Sequence, residues 1–423
     1  MAPRSLKPEI QSGDVAERDV LMEESYRILI VGGGIIGSSI AMSLVEMGVR
    51  DVAVVDCDLS GKWSSSERNA GGVRATWAQQ VNTDLSKASI SFYESVASEV
   101  GFQQKGYLWL YDETVWKRTA HRRADQIRWG CRMNVLSPAE ITLRFPFLDR
   151  LGGVYAATHS PDEGLINPNL LKKYYRERAS QDKAGWIDRH VVEKVELVED
   201  VAHTVFLREM PSEDEVKGYL VDQKSPMAGK RRRVRIETLV NAAGSWAPPL
   251  ARLYGRVIPS VPIRRQVSIM HSQEVDLAPY GMIVDTSGLY FHHEAGNILA
   301  GYAVPNETPG FCFDYEGDSF FMQEIWPRLS GRGSHFERLK QIGGWAGLYA
   351  VSPDNSAIVG RVHGTTNIFE AHSFSGHGVM HSYAVGRALA ELIVNGAYGE
   401  IDLSLLSGDR FEKDSKVSEA MWI

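Results

Sequence analysis

The residues best placed to do chemistry sit in a few glycine-bearing segments and in the arginines, tyrosines and histidines between them. Gly32-x-Gly34-x-x-Gly37 follows the apolar run Tyr26–Val31 and opens a helical pattern with Ile36 inside it and Ile40, Leu44 and Met47 on one face. Glycines at this spacing permit a tight turn, a close approach of backbone to a diphosphate, and close packing of helix on strand. The helix N-terminus adds free N–H groups and a partial positive charge. Asp56 ends a second apolar run, DVAVVD at 51–56, about 20 residues beyond the last glycine, where a carboxylate accepts the ribose hydroxyls of an adenosine. The unit reads as a dinucleotide site and by itself leaves NAD and FAD both open. Two further glycine turns, LVNAAGSWA at 239–247 and FSGHG at 374–378, favour a flavin, whose ring system extends far from the adenosine. The helix after FSGHG would aim its positive end at the N1–C2=O edge of the ring.

Other groups have competing readings. His292 and His293 lie on a strand expected to floor a substrate cavity, flanked by Tyr290 and Phe291. Alternation lets only one of the two histidines face inward. His377 and His381 stand at i, i+4 near His372, but without an HExxH pattern or a further ligand, so no metal site is expected. Arg264 and Arg265 begin a strand at a domain junction, where they either face the flavin or pair with acids. The run KRRR at 230–233 reads as a solvated hairpin loop. Trp77, Tyr302 and Phe313 suggest either a bulky substrate or ordinary core.

The elements that must position these groups follow from pattern. The cofactor-type segments lie at both ends of the chain and near position 240, and strand-rich segments lie between them. The expected fold is α/β: a Rossmann-like FAD-binding domain interleaved with an α+β substrate domain built on an antiparallel sheet. The expected division is an arm at 1–25, a discontinuous FAD-binding domain at 26–100, 161–250 and 336–423, and a substrate domain at 101–160 and 251–335. Residues 210–230 read as a surface hairpin. With 423 residues, 43% apolar and 23% charged, the chain has an ordinary globular composition. A net charge of −7 argues against nucleic acid as a partner. Three scattered cysteines cannot build a disulfide scaffold or an iron–sulfur cluster and fit a reducing cytoplasm. No run is long and apolar enough to span a membrane, and the first 25 residues lack a secretory pattern.

The motifs GGGIIG at 32–37, ERNAGGVR at 67–74, PDEGLINP at 161–168, LVNAAGSWA at 239–247, GGWAGLYAVSPDNSAIVG at 343–360 and FSGHGVMHSYAVGRALAELI at 374–393 carry a family resemblance. In order and spacing the chain resembles the FAD-dependent amine and amino-acid oxidoreductases of the D-amino-acid oxidase superfamily, from about Tyr26 to Phe411. The sarcosine oxidase, dimethylglycine dehydrogenase and proline dehydrogenase β-subunit branch is most similar. The resemblance implies a GR2-type FAD domain. It implies that Ser66 and Arg68, Asn69, Ala70, Gly71 and Gly72 wrap the flavin and pyrophosphate, and that Val192 presents backbone to the adenine. Gly244 and Trp246 would line the cofactor, and Gly376, His377, Gly378, Val379 and Met380 would hold the flavin's pyrimidine edge. Arg74 matches an arginine that grips a substrate carboxylate, and Tyr349 matches an active-site tyrosine. Gly347 stands where monomeric sarcosine oxidase carries its flavin-linking cysteine, and Ser66–Asn69 holds no histidine, which implies non-covalent FAD. Leu299 lies near where that enzyme has its oxygen-activating lysine. Met380 takes the place of its second carboxylate-binding lysine. Tyr349 stands where the glycine and D-amino-acid oxidase branch has an arginine.

The reaction implied is hydride transfer from an amine C–H of a secondary or N-substituted amino acid to flavin N5, followed by hydrolysis of the imine. Either O2 or an external acceptor would take the electrons. Two alternatives are oxidation of a 2-hydroxy acid on the same fold and a non-catalytic flavoprotein assembly factor. Oligomeric state is not readable from the sequence.

Overall fold

A computed structural model describes residues 22–225 and 229–420. Two eight-stranded sheets organise them. In the first, the order runs Ile358–Arg361, Ile368–His372, Arg231–Asn241, Met22–Val31, Val52–Val55, Gly185–Ile187. The four neighbours of this set beyond Ile368 pair in parallel, because helices cross over between them. The antiparallel hairpin His190–Val198 and Val201–Glu209 adds to the edge of Arg231–Asn241. The second sheet runs Lys340–Val351, Val261–His271, Asn297–Tyr302, Tyr290–Glu294, Met282–Val284, Tyr107–Tyr111, Ala156–Ser160, Asn134–Leu136. It is antiparallel except where Met282–Val284 meets Tyr107–Tyr111. The short pair Gly72–Val73 and Gly164–Leu165 ties the two halves together.

Helix Ile35–Glu46 is buried on nearly every side, which matches its almost uniformly small or apolar sequence IIGSSIAMSLVE. It lies against Gly378–Asn395 and Pro168–Gln181. The first of these contacts is close: a Cβ at Gly386 would come within 2.2 Å of the Ser39 hydroxyl oxygen. The apolar face of the first sheet and these helices form one core, and the other face packs under the 190–209 hairpin. In the second sheet, one face packs on helical segments around Pro138–Arg144 and Asp318–Ser330. The other face carries Tyr107, Trp109, Val267, Met282, Tyr290 and Leu299 and is turned toward the first half of the molecule.

Three expectations change. Lys340–Val351 pairs along its length with Val261–His271, so the second sheet extends past the boundary expected at 336. The expected arm at 1–25 lies outside the described residues up to position 21, but Met22–Ser25 is already strand, in parallel register with Arg232–Arg235. Within the expected hairpin, Glu213–Leu220 is a helix. Ser212 caps its N-terminus, and Glu213, Asp214 and Glu215 in its first turn favour the positive end of the helix dipole; Pro226–Ala228 lie outside the described residues. Among the described residues no helix is long and apolar enough to cross a membrane.

Candidate active site

The C-terminal ends of the first sheet's parallel strands open onto a cleft of about 1650 Å³ that runs to the inward face of the second sheet. Gly32, Gly33, Gly34 and Ile36 line one end. Gly32 has φ +106°, a conformation open to glycine, and a Cβ there would lie 2.4 Å from the Ala242 carbonyl oxygen. Gly37 does not face the cleft. A Cβ there would fall 1.9 Å from the Gly32 oxygen, so its absence lets the helix seat against the strand. The helix Ile35–Glu46 has no side-chain cap and no acid in its first turn, which leaves its N-terminal field open to an anion. Ser66 Oγ accepts the Ile35 N–H at 2.9 Å and keeps its own O–H to donate. Arg176 reaches the same turn, donating to the Gly33 carbonyl and, at 2.7 Å, to that of Leu59. Asp56 lines the cleft and accepts N–H groups of Gly33 (2.6 Å) and Asp58 (2.9 Å). Burial pushes its carboxyl above the ordinary range, offset in part by those two bonds and by Arg176.

Farther along, Val192, Gly244 and Trp246 line the cleft. The Trp246 indole N–H donates to the Leu220 carbonyl (3.0 Å), so the unexpected helix Glu213–Leu220 positions it. Arg68 lies at the wall with its guanidinium committed to the Lys62 (2.8 Å) and Ala346 (2.6 Å) carbonyls. Asn69 and Ala70 face the cleft, and Asn69 Oδ1 accepts the Gly71 N–H at 2.7 Å. Gly71 itself lines neither cavity. It has φ +74°, and a Cβ there would strike the Ile166 oxygen at 2.3 Å, so it serves the turn that aims Gly72 and Arg74. Gly376, Gly378 and Val379 complete the far end.

Behind that end lies a smaller chamber of about 420 Å³. Asn69, Ala70, Tyr290, Tyr349, Ser375 and Gly376 are common to both, and Gly72, Arg74, Tyr107, Met282, His377 and Met380 belong to the chamber. Tyr290 and Tyr349 are neighbours, and burial holds both phenols above their ordinary range. Arg74 is 1% exposed and lies 3.6 Å over the Trp77 ring, with Nη1 donating to the Thr76 carbonyl at 3.1 Å. His377 packs at a tilt against the same indole, ring centroids 4.2 Å apart, and burial, with the Arg74 charge, keeps its imidazole neutral. His381 also packs on Trp77, and His372 is bonded to Glu370 at 3.0 Å.

His292 is a correction. It shares a strand face with Tyr290 but lines neither cavity. Its buried ring sits beside the Ala70 backbone with Nδ1 on the His293 carbonyl (2.7 Å), and burial pulls it down to about 4. His293 faces away and accepts the Gly296 N–H. Trp77, Tyr302 and Phe313 also stay out of the chamber. Trp77 lies beneath Arg74, Tyr302 under Arg328, and Phe313 on Trp63.

Sequence reasoning missed Glu163, within the PDEGLINP motif. Its Oε1 accepts the Ala75 (2.7 Å) and Thr76 (2.9 Å) N–H groups and so holds the segment bearing Arg74. Burial raises its carboxyl to about 7 against the bonds and the Arg74 charge that favour ionisation. A raised carboxylate penalises the folded state once it ionises, so stability falls as pH climbs from about 4.5 to about 7, by about 3 kcal/mol. Glu163→Gln keeps an acceptor and removes that slope. Denaturant titrations at pH 5 and pH 8 should show the variant gaining on the wild type at pH 8, and equal differences at both would refute the assignment.

The cleft fits a long polar molecule. Five buried polar atoms of its lining, Asp58 Oδ2, Trp63 Nε1, His190 Nε2, Ser245 Oγ and Arg265 Nε, have no hydrogen-bond partner among the described residues. Buried polar groups are normally satisfied, and the ribose, diphosphate and ring edges of FAD offer donors and acceptors along this length. Comparison with known proteins agrees. Over 92% of this chain and 83% of the relative, the sequence is 29% identical to FAD-dependent oxidoreductase domain-containing protein 1 of Xenopus laevis. It is 28% identical to 4-methylaminobutanoate oxidase (formaldehyde-forming) of Paenarthrobacter nicotinovorans, over 91% of this chain but 45% of that longer protein. The fold superposes on the crystal structure of L-proline dehydrogenase from P. horikoshii with a TM-score of 0.80 at 24% identity, covering 93% of this chain and 99% of that one. A family model for FAD dependent oxidoreductases, DAO, matches residues 27–392. The chain therefore belongs to the DAO family and is an FAD-dependent oxidoreductase.

Proposed function

We propose that this enzyme oxidises the C–N bond of a secondary or N-substituted amino acid, sarcosine-, glycine- or proline-like, with water hydrolysing the resulting imine. The observation that carries this reading is the charge pattern of the chamber. Arg74 is the charged residue of its lining, no Asp or Glu is present there, and its phenols and imidazole are held neutral. A cationic, acid-free wall disfavours an ammonium and favours the free amine, whose lone pair must assist departure of a hydride. The same wall suits a carboxylate elsewhere on the substrate. Bound FAD supplies the two-electron acceptor. Tyr290 and Tyr349, shared by cleft and chamber, orient the substrate where the two cavities join, and Met282, Met380 and Tyr107 exclude water. A relative named for 4-methylaminobutanoate, an N-methylated amino acid, supports the substrate class. A 2-hydroxy acid would need a base for its O–H proton; the chamber lining offers no carboxylate, and burial with the Arg74 charge makes its imidazole, His377, a weak base. FAD is held without a covalent bond: Gly347 offers no sulfur and Ser66–Asn69 no imidazole.

The test is anaerobic bleaching of the yellow protein by N-alkyl glycines, proline, D-amino acids and 2-hydroxy acids, followed by admission of air. Bleaching by an N-substituted amino acid is the expected result. Rapid recovery in air would mark an oxidase, and slow recovery a dehydrogenase with another acceptor. Bleaching by hydroxy acids alone, or by nothing, would refute the amine reading.

A further inference from the structure

Arg264 and Arg265 are neighbours on the strand Val261–His271, and alternation sends them to opposite faces. Arg264 turns outward and pairs with Glu307 (2.8 Å) and Glu316 (2.6 Å). Arg265 turns inward. It stands opposite Gly347 in the sheet, lines the cofactor cleft with Val267, and lies 5.4 Å from the ring of Tyr349. Its Nη1 donates to the Arg264 carbonyl at 3.0 Å. Its Nε is buried with no hydrogen-bond partner, and among the described residues no carboxylate lies within ion-pair distance. A guanidinium kept half-buried without an acid pays a desolvation cost that an incoming anion would offset. The diphosphate of FAD would not be that anion, because the helix N-terminus beside Gly33, with Arg176, would hold it at the other end of the cleft.

Arg74 is in a different situation. It is stacked on Trp77 and lies in the field of two acids, Glu163 and Glu419, each 2% exposed. Glu419 reaches this place from the C-terminal segment, where it accepts the Ala78 N–H (3.1 Å) and the Asn82 side-chain N–H (3.2 Å). Arg74 therefore has acids of the protein in its field, which Arg265 lacks.

We propose that Arg265, with the hydroxyls of Tyr349 and Tyr290, takes the carboxylate of the substrate, while Arg74 builds the chamber wall. This rests on the amino-acid reading above. It places the carboxylate where cleft and chamber join and leaves the apolar side, Met282, Met380 and Tyr107, for the substituents on nitrogen and Cα.

The probe is 2-furoate, a carboxylate that cannot be oxidised at a C–N bond, with 2-furamide as its uncharged counterpart. Binding is read as a perturbation of the flavin absorption band of the holoenzyme. Wild type should bind 2-furoate, and Arg265→Gln should bind it about 10- to 100-fold more weakly, while 2-furamide changes by less than about threefold. Arg265→Lys should recover part of the loss, and it serves if the glutamine variant fails to retain FAD. Glu419→Gln should leave 2-furoate affinity within about threefold. Unchanged affinity in both Arg265 variants, or no perturbation of the wild type, would overturn the proposal. So would a gain of about tenfold in Glu419→Gln, which would hand the role to Arg74. Because the probe does not turn over, Arg265-dependent binding in an enzyme that no amine bleaches would sustain the anion site while the amine reading falls.

Discussion

Gly32→Ala should purify as a nearly colourless protein. The residue sits at φ +106°, where an L side chain costs about 1–3 kcal/mol. The added Cβ would also lie 2.4 Å from the carbonyl oxygen and 2.7 Å from the carbonyl carbon of Ala242. Both are backbone atoms at the end of the strand Arg231–Asn241, so neither swings aside as a side chain would. Relief requires the parallel strands Met22–Val31 and Arg231–Asn241 to part at the point where the diphosphate is cradled. Strain and clash together should weaken FAD binding by more than about 100-fold, or about 3 kcal/mol. The measurement is flavin absorbance per chain, with an FAD titration of the stripped protein. Gly48→Ala is the control. Gly48 also has positive φ (+83°), but its Cβ would meet nothing within 4 Å. It should cost about 1 kcal/mol of stability and remain yellow. A yellow Gly32→Ala with normal FAD content would refute the account of this turn.

The second large effect lies far from the glycine turn. Arg410 is bound to both oxygens of Asp354 at 2.8 and 2.9 Å, and the two side chains are 3% and 0% exposed. Arg410 also donates to the carbonyls of Leu406 (2.6 Å) and Ser356 (3.0 Å). Asp354 in turn receives the Val417 N–H on its carboxylate (2.9 Å) and the Glu419 N–H on its carbonyl (2.8 Å). The pair is the clasp that seats the C-terminal segment and brings Glu419 to Ala78 and Asn82, behind Arg74. Arg410→Met leaves Asp354 buried without its cation, a loss of about 3–5 kcal/mol. On the scale of about 2.1 cal/mol/K per residue, the thermal midpoint should fall by about 3–5 °C. Burial pushes Asp354 upward, but the bonds and charge of Arg410 outweigh it and hold the carboxyl below its ordinary value of 3.8. The stabilisation is therefore complete near neutrality and lost as pH falls through the lowered value, so wild type and variant should converge below about pH 4. Limited proteolysis should cut the variant after Phe411 and spare the wild type. A variant as stable as wild type at pH 7 would show that the clasp contributes nothing.

The sequence by itself determined what depends on local spacing. The turn Gly32–Gly37 and the acid at Asp56 were legible because a tight turn, a helix start and a strand end each need particular residues at fixed short intervals. The helix Gly378–Asn395 and the FSGHG turn before it were legible for the same reason, as was the inward placement of Tyr349 through its family motif. Tertiary structure decided matters of register and of distance along the chain. A strand pattern says that Arg264 and Arg265 part company, but only the pairing of Val261–His271 with Lys340–Val351 says which one meets the cleft. The same alternation says that one of His292 and His293 turns inward without saying which; the structure turns His292 that way, and the Ala70 segment, more than two hundred residues earlier, lies against it. Glu419 is separated from Ala78 by 341 residues, and no local signal marks it as a neighbour of Arg74. Residues that bond through backbone geometry a few positions away leave their mark in sequence. Residues that meet through packing of distant segments acquire their roles, as Arg74, Arg265 and Glu419 do here, only when the sheets close on each other.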